Sequence, residues 1–80
     1  MEIEILGSKD ARTQKTVQIV KEAAGKLGVL VRIKVITNPR IISQYGMYML
    51  PAIAINEEVK ISGRIPSSSE AESMIKRNTR

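Results

Sequence analysis

The side chains best able to do chemistry in this chain lie in the stretch "ILGSKDARTQK", from Ile5 to Lys15. Ser8, Lys9, Asp10, Arg12 and Thr13 follow an apolar run and precede a helical pattern. A strand-to-helix corner exposes the unpaired amides of the first helical turn, and in many α/β folds it holds a nucleophile or a phosphate. Two kinds of chemistry are therefore open. Ser8, Lys9 and Arg12, with those amides, could contact an anion. Asp10 could act as a base or nucleophile, yet the positive end of a helix stabilises its ionised form and lowers its basicity. The chain has no His to relay a proton, and no second carboxylate is placed nearby by spacing. Asp10 also opposes an anion site, because its own charge claims the amides. The plainer reading makes Asp10 the N-cap and Thr13 a residue on the helix surface.

Composition narrows the remaining classes. Eighty residues are the size of one small domain, and we expect a single one over residues 1–80. With no Cys and no His, neither disulfides nor an ordinary zinc site can brace it, so no metal or cofactor is expected. Stability must come from packed Ile, Val, Leu, Ala and Met, since Tyr45 and Tyr48 are the only aromatics. The net charge of +5, from thirteen Lys and Arg against eight Asp and Glu, favours weak attraction to anions without naming one. Basic residues are spread along the chain, the nearest cluster being Lys76, Arg77 and Arg80. With two tyrosines for stacking, a nucleic-acid partner is disfavoured. The longest apolar stretch, Tyr45 to Ile55, is broken by Gly46 and Pro51 and is too short to cross a bilayer. No basic segment followed by an apolar run opens the chain. The expectation is a soluble cytoplasmic protein.

Hydrophobic period supplies the elements that must hold the corner. "MEIEIL" alternates, Ile3 and Ile5 on one side and Glu2 and Glu4 on the other, which predicts a strand over about Glu2–Leu6. From Asp10 the period lengthens: Val17, Val20, Ala24 and Leu27 stripe one helical face. Asp10 caps the start and Gly28 sits where a left-handed cap belongs, so a helix is predicted over Ala11–Leu27. "VLVRIKVI", Val29 to Ile36, is rich in β-branched residues and reads as a second strand. Strand, helix and strand in close succession imply a parallel pair with a right-handed crossover. "TNPRIISQYG" reads as a short helix capped at Thr37 or Asn38, with Pro39 in its first position, Ile41, Ile42 and Tyr45 on one face, and Gly46 at its end. "PAIAIN" and "VKISG" read as a hairpin around "NEE". Ser67 and Glu70 form a capping box for a last helix that carries Ala71, Met74 and Ile75. The order β-α-β-α-β-β-α gives an α/β domain, a mixed four-stranded sheet with helices on both faces.

On these residues the chain resembles the small archaeal and bacterial thioredoxin-like proteins, the redox-active disulfide family related to glutaredoxins. "MEIEILG" is similar to their first strand ending in Gly. "YGMYMLPAIAIN" is similar to the segment before their third strand, in which the proline is cis. "EEVKISG" resembles the fourth strand, and "GRIPSSSE" the Gly-x-x-Pro-Ser approach to the last helix. The resemblance implies a Cys-x-x-Cys three residues beyond the glycine that ends strand one. Counted from Gly7, Asp10 stands at the first cysteine position and Thr13 at the second.

Thiol–disulfide exchange needs a thiolate attacking sulfur, and no residue of this chain carries a thiol. What the resemblance leaves is a binding corner. In relatives the backbone of the residue before the cis-proline, here Leu50, pairs with an extended peptide. Met47, Tyr48 and Met49 beside it suit a protein contact, although Met47 and Met49 could instead be core, alternating with Tyr48 outside. Pro51 alone could simply begin a strand. The leading expectation is a non-catalytic protein- or peptide-binding module using Tyr48, Met49, Leu50 and Pro51. The alternatives are a redox-family member whose cysteines were lost or replaced, and a weak basic nucleic-acid binder.

Overall fold

The computed structural model describes residues 1–79. Its elements are β1 (Glu2–Leu6), α1 (Ala11–Leu27), β2 (Arg32–Ile36), α2 (Pro39–Gln44), β3 (Ala52–Ile55), β4 (Glu58–Ser62) and α3 (Ser68–Arg77). The four strands form one sheet in the order β2-β1-β3-β4. β1 runs parallel to β2, with Glu2 opposite Arg32 and Leu6 opposite Ile36. It runs antiparallel to β3, and β3 is antiparallel to β4. β1 is thus internal, hydrogen-bonded on both edges, and the corner that follows it issues from the middle of the sheet.

Each face of the sheet is covered by a different layer. Ile3, Ile5, Ile53 and Ile55 project from one face onto Val20, Ala23 and Ala24 of α1 and Ala71, Met74 and Ile75 of α3. Burying such aliphatic side chains is worth roughly 1.5–3 kcal/mol each. Leu6, Ile36 and Ala52 on the other face pack with Ile42, Tyr45, Leu50 and Val59. α2 and the segment after it therefore cover the second face near the corner.

The caps follow the sequence closely. Asp10 Oδ1 accepts from the Thr13 amide at 2.9 Å, and Gly28 closes α1 at φ 69°. Asn38 caps α2 through the Arg40 amide, with Pro39 next. Both bonds of the Ser67–Glu70 capping box are present.

Three expectations change. β2 starts at Arg32 rather than Val29. The Val29 amide is spent on Ala24 O, and β1 supplies a parallel partner only from Glu2 onward, so Leu30 is left exposed. The hairpin loop is two residues, Asn56 and Glu57, both at positive φ (49° and 71°), a pairing that fits the right-handed twist of the strands. Glu58 consequently belongs to β4. Finally, the innermost line of α1 runs through Thr13, Thr16, Val20, Ala23 and Ala24, while Val17 and Leu27 lie half-buried at its margin.

Candidate functional site

Gly7 leaves β1 with its amide bonded to Ile36 O at 3.1 Å. A Cβ on Gly7 would collide with Thr13 Oγ1, so the glycine lets the first turn of α1 lie directly against the strand end. Thr13 is accordingly buried, at 4% exposure. This corrects its assignment to the helix surface. Thr13 opens the inward line of α1, whereas Asp10, three residues earlier, stays exposed.

Asp10 is held below the usual carboxylate range, first by the Thr13 amide and further by the Thr13 hydroxyl and the Arg12 charge. An ionised carboxylate whose charge is already stabilised is a good cap and a poor base. Ser8, Lys9 and Arg12 are exposed around it. The Asp10 amide donates to Ser8 O at 2.9 Å, which shapes the turn.

The second half of the site approaches from the segment before β3. The Leu50–Pro51 peptide is cis. Pro51 is buried and Leu50 half-buried. The Gly63 amide donates to both Met49 O (2.8 Å) and Pro51 O (3.0 Å), fixing the backbone on either side of Leu50. Leu50 itself has neither its N–H nor its C=O hydrogen-bonded among the described residues. The preceding side chains turn outward. Met47 is fully exposed, Met49 76% and Tyr48 45%, and the Tyr48 ring lies over Gly46. The alternative that places Met47 and Met49 in the core is therefore wrong. They sit in a linking segment with no layer above them.

These two halves meet. Gly7 and Ser8, Pro39, Ile42 and Ser43, and Gly46 to Leu50 line one open groove of about 450 Å³. A smaller hollow of about 210 Å³ adjoins it at Ser8 and includes Lys9, Asp10 and Thr13. Leu50, Met49 and Tyr48 thus share a concavity with Ser8, and Asp10 and Thr13 lie in the next one. Arg12 lines neither.

One residue with unusual chemistry was not anticipated. Glu4, read as part of a polar strand face, is buried at 1% exposure. Its Oε1 accepts from the Glu57 amide at 2.8 Å, while Oε2 is buried without a partner among the described residues. Burial pushes its carboxyl upward, the charges of Glu2 and Glu57 add to this, and the Glu57 amide and Lys34 oppose it. Tyr45 is likewise raised, mainly by burial. The available signal was the position of Glu4 on an internal strand whose second face carries a helix. Among the described residues no group of three His, Cys, Asp or Glu is placed to hold a metal, and no helix is long and apolar enough to cross a membrane.

A β1-α1-β2 unit followed by a short helix, a hairpin and a final helix, with a cis-proline immediately before β3, defines a thioredoxin-like protein. The chain matches the profile of a thioredoxin domain family over residues 1–76. It is also 31% identical, over 75 residues, to a thioredoxin of Methanothermobacter thermautotrophicus, an alignment covering 94% of this chain and 97% of the relative. The chain belongs to the thioredoxin family.

Proposed function

We propose that this thioredoxin-family chain is a non-catalytic module that binds an extended segment of another protein at the Leu50 corner. The observation that carries the reading is that the N–H and C=O of Leu50 are unpaired among the described residues, beside the exposed side chains of Met47, Tyr48 and Met49. An extended strand laid on Leu50 would satisfy both groups and cover the apolar side chains in one step, which is recognition by strand addition. Adaptable Met and an amphipathic Tyr suit such a contact. The proposal takes the cytoplasm as its setting and requires no cofactor.

The test is titration with a synthetic apolar peptide, followed residue by residue through backbone amide resonances. Shifts grouped on Ser8, Met47–Leu50 and Gly63, abolished by Leu50→Pro, support the reading. Shifts centred elsewhere, or unchanged by Leu50→Pro, overturn it.

A second reading concerns descent. Asp10 and Thr13 occupy the two positions, one exposed and one packed under Gly7, where the resemblance implies a dithiol, and a relative is named a thioredoxin. This supports origin in a glutaredoxin-related oxidoreductase lineage whose cysteines gave way to Asp and Thr.

A further inference from the structure

Nothing in the apolar groove itself distinguishes one extended segment from another; the charges around it do. No acidic residue lines the groove, and Leu50 shares its lining with Ser8 and Pro39. The neighbours of those two residues in the chain are Lys9 and Arg40, both exposed. Arg12, the second residue of α1, is exposed as well, and its charge acts on Asp10. None of the three takes part in the ion pairs among the described residues, which are Lys26–Glu72, Lys60–Glu58 and Arg64–Glu70. Asp10 is the carboxylate in the lining of the adjoining hollow, and its charge is already answered by the Thr13 amide. Lys9 and Arg40, next in the chain to Ser8 and Pro39 of the lining, thus carry exposed charges outside every ion pair among the described residues.

Resting on the binding role proposed above, we infer that the segment the groove accepts is apolar at its centre and acidic at one flank. Its central residue pairs with Leu50, its apolar side chains lie on Met47 and Tyr48, and Asp or Glu two or three positions along meets Lys9 and Arg40. A strand advances about 3.4 Å per residue, and Leu50, Ser8 and Pro39 line the same groove, so the acidic positions are sought within a few residues of the paired one. Exposed charge pairs are individually weak and fade with salt. The cations therefore set preference, and the backbone pairing with apolar cover sets the docking.

Three fluorescent peptides with one apolar centre and flanks of Glu, Ser or Lys test this directly. At low salt the Glu-flanked peptide is expected to bind about three- to tenfold more tightly than the Ser-flanked one, and the Lys-flanked one more weakly than either. Lys9→Ser with Arg40→Ser should shrink the Glu-to-Ser ratio toward unity. Lys76→Ser with Arg77→Ser, an equal change of net charge on α3, should leave it unchanged. High salt should compress the ratio while binding of the Ser-flanked peptide persists. Equal affinity for all three flanks overturns the inference yet leaves the docking reading standing. An equal effect of the α3 pair also overturns it, since net charge alone would then explain the preference. Competition by single-stranded RNA that removes the Glu-flanked peptide at equimolar amounts would assign the cations to phosphate instead. Failure of every peptide to bind removes the docking reading itself.

Discussion

Glu4→Gln should stabilise this protein at neutral pH, and by an amount that depends on pH in a defined direction. Glu4 sits on an internal strand with one carboxylate oxygen bonded to the Glu57 amide and the other buried and unpartnered. Glutamine keeps the acceptor for Glu57 and removes the charge. Its NH2 group takes the place of the orphaned oxygen and needs a partner of its own, so part of the gain is returned. Leaving a buried polar group unmade costs about 1–3 kcal/mol, more for a charge; the difference between an orphaned charge and an orphaned amide is on the order of 1 kcal/mol. For a domain of this size that is a rise in Tm of about 4–8 °C. The sign with pH follows from linkage. The folded-state pKa of Glu4 is raised by burial above its ordinary 4.5, so the folded chain takes up this proton first. The stability contributed by that proton is complete below the ordinary pKa and is lost as pH rises through the raised one. The advantage of Gln over Glu should therefore be greatest near neutrality and vanish on acidification. Urea unfolding of both proteins across that range, followed by far-UV circular dichroism, measures it. Asp10, Glu58 and Glu70 shift the opposite way, but they are common to both chains and cancel. A difference that grows on acidification, or a Gln variant less stable at neutral pH, would refute the reasoning.

Gly7→Ala forces a methyl into Thr13 and should cost about 1–3 kcal/mol as overpacking, with part recovered when Thr13→Ala is added; a double-mutant cycle without coupling would show the contact to be unimportant. Ser67→Ala removes one bond of the capping box and is expected to cost about 1 kcal/mol in denaturant unfolding. Asp10→Cys with Thr13→Cys should confer disulfide reduction in an insulin-type turbidity assay, because the first-turn amides that lower the Asp10 carboxyl would also favour a thiolate. Persistent inactivity of a folded double-cysteine variant would count against the alignment of these positions.

Much of the fold was legible because local signals agreed with one another. The change of period at Asp10, the glycine at 28, and the Pro39 and Ser67 starts marked element ends that the structure keeps. What escaped reading was decided by neighbours distant in sequence. Whether Glu4 meets water depends on α2 and the Asn56–Glu57 turn, about forty to fifty residues away, covering the second face of β1. Whether Thr13 points in or out depends on its closeness to Gly7, which a helical wheel cannot show. Residues Val29–Val31 have every propensity for a strand, yet β1 is too short to pair with them. At the site, the residue types of the corner could be read directly. Neither the outward turn of Met47 and Met49 nor the unpaired backbone of Leu50 could, since both arise from the way Gly63 holds the segment.

With no Trp or Phe in the chain, its near-ultraviolet absorption and emission come from two phenol rings, and these stand close together. Tyr45 closes α2 against the second sheet face, and Tyr48 borders the groove. Intrinsic fluorescence therefore watches only this side of the molecule and is blind to the α1–α3 layer. Quenching or anisotropy recorded without any dye would register an occupant arriving at the groove, while a loosening confined to the α1–α3 layer would pass unseen.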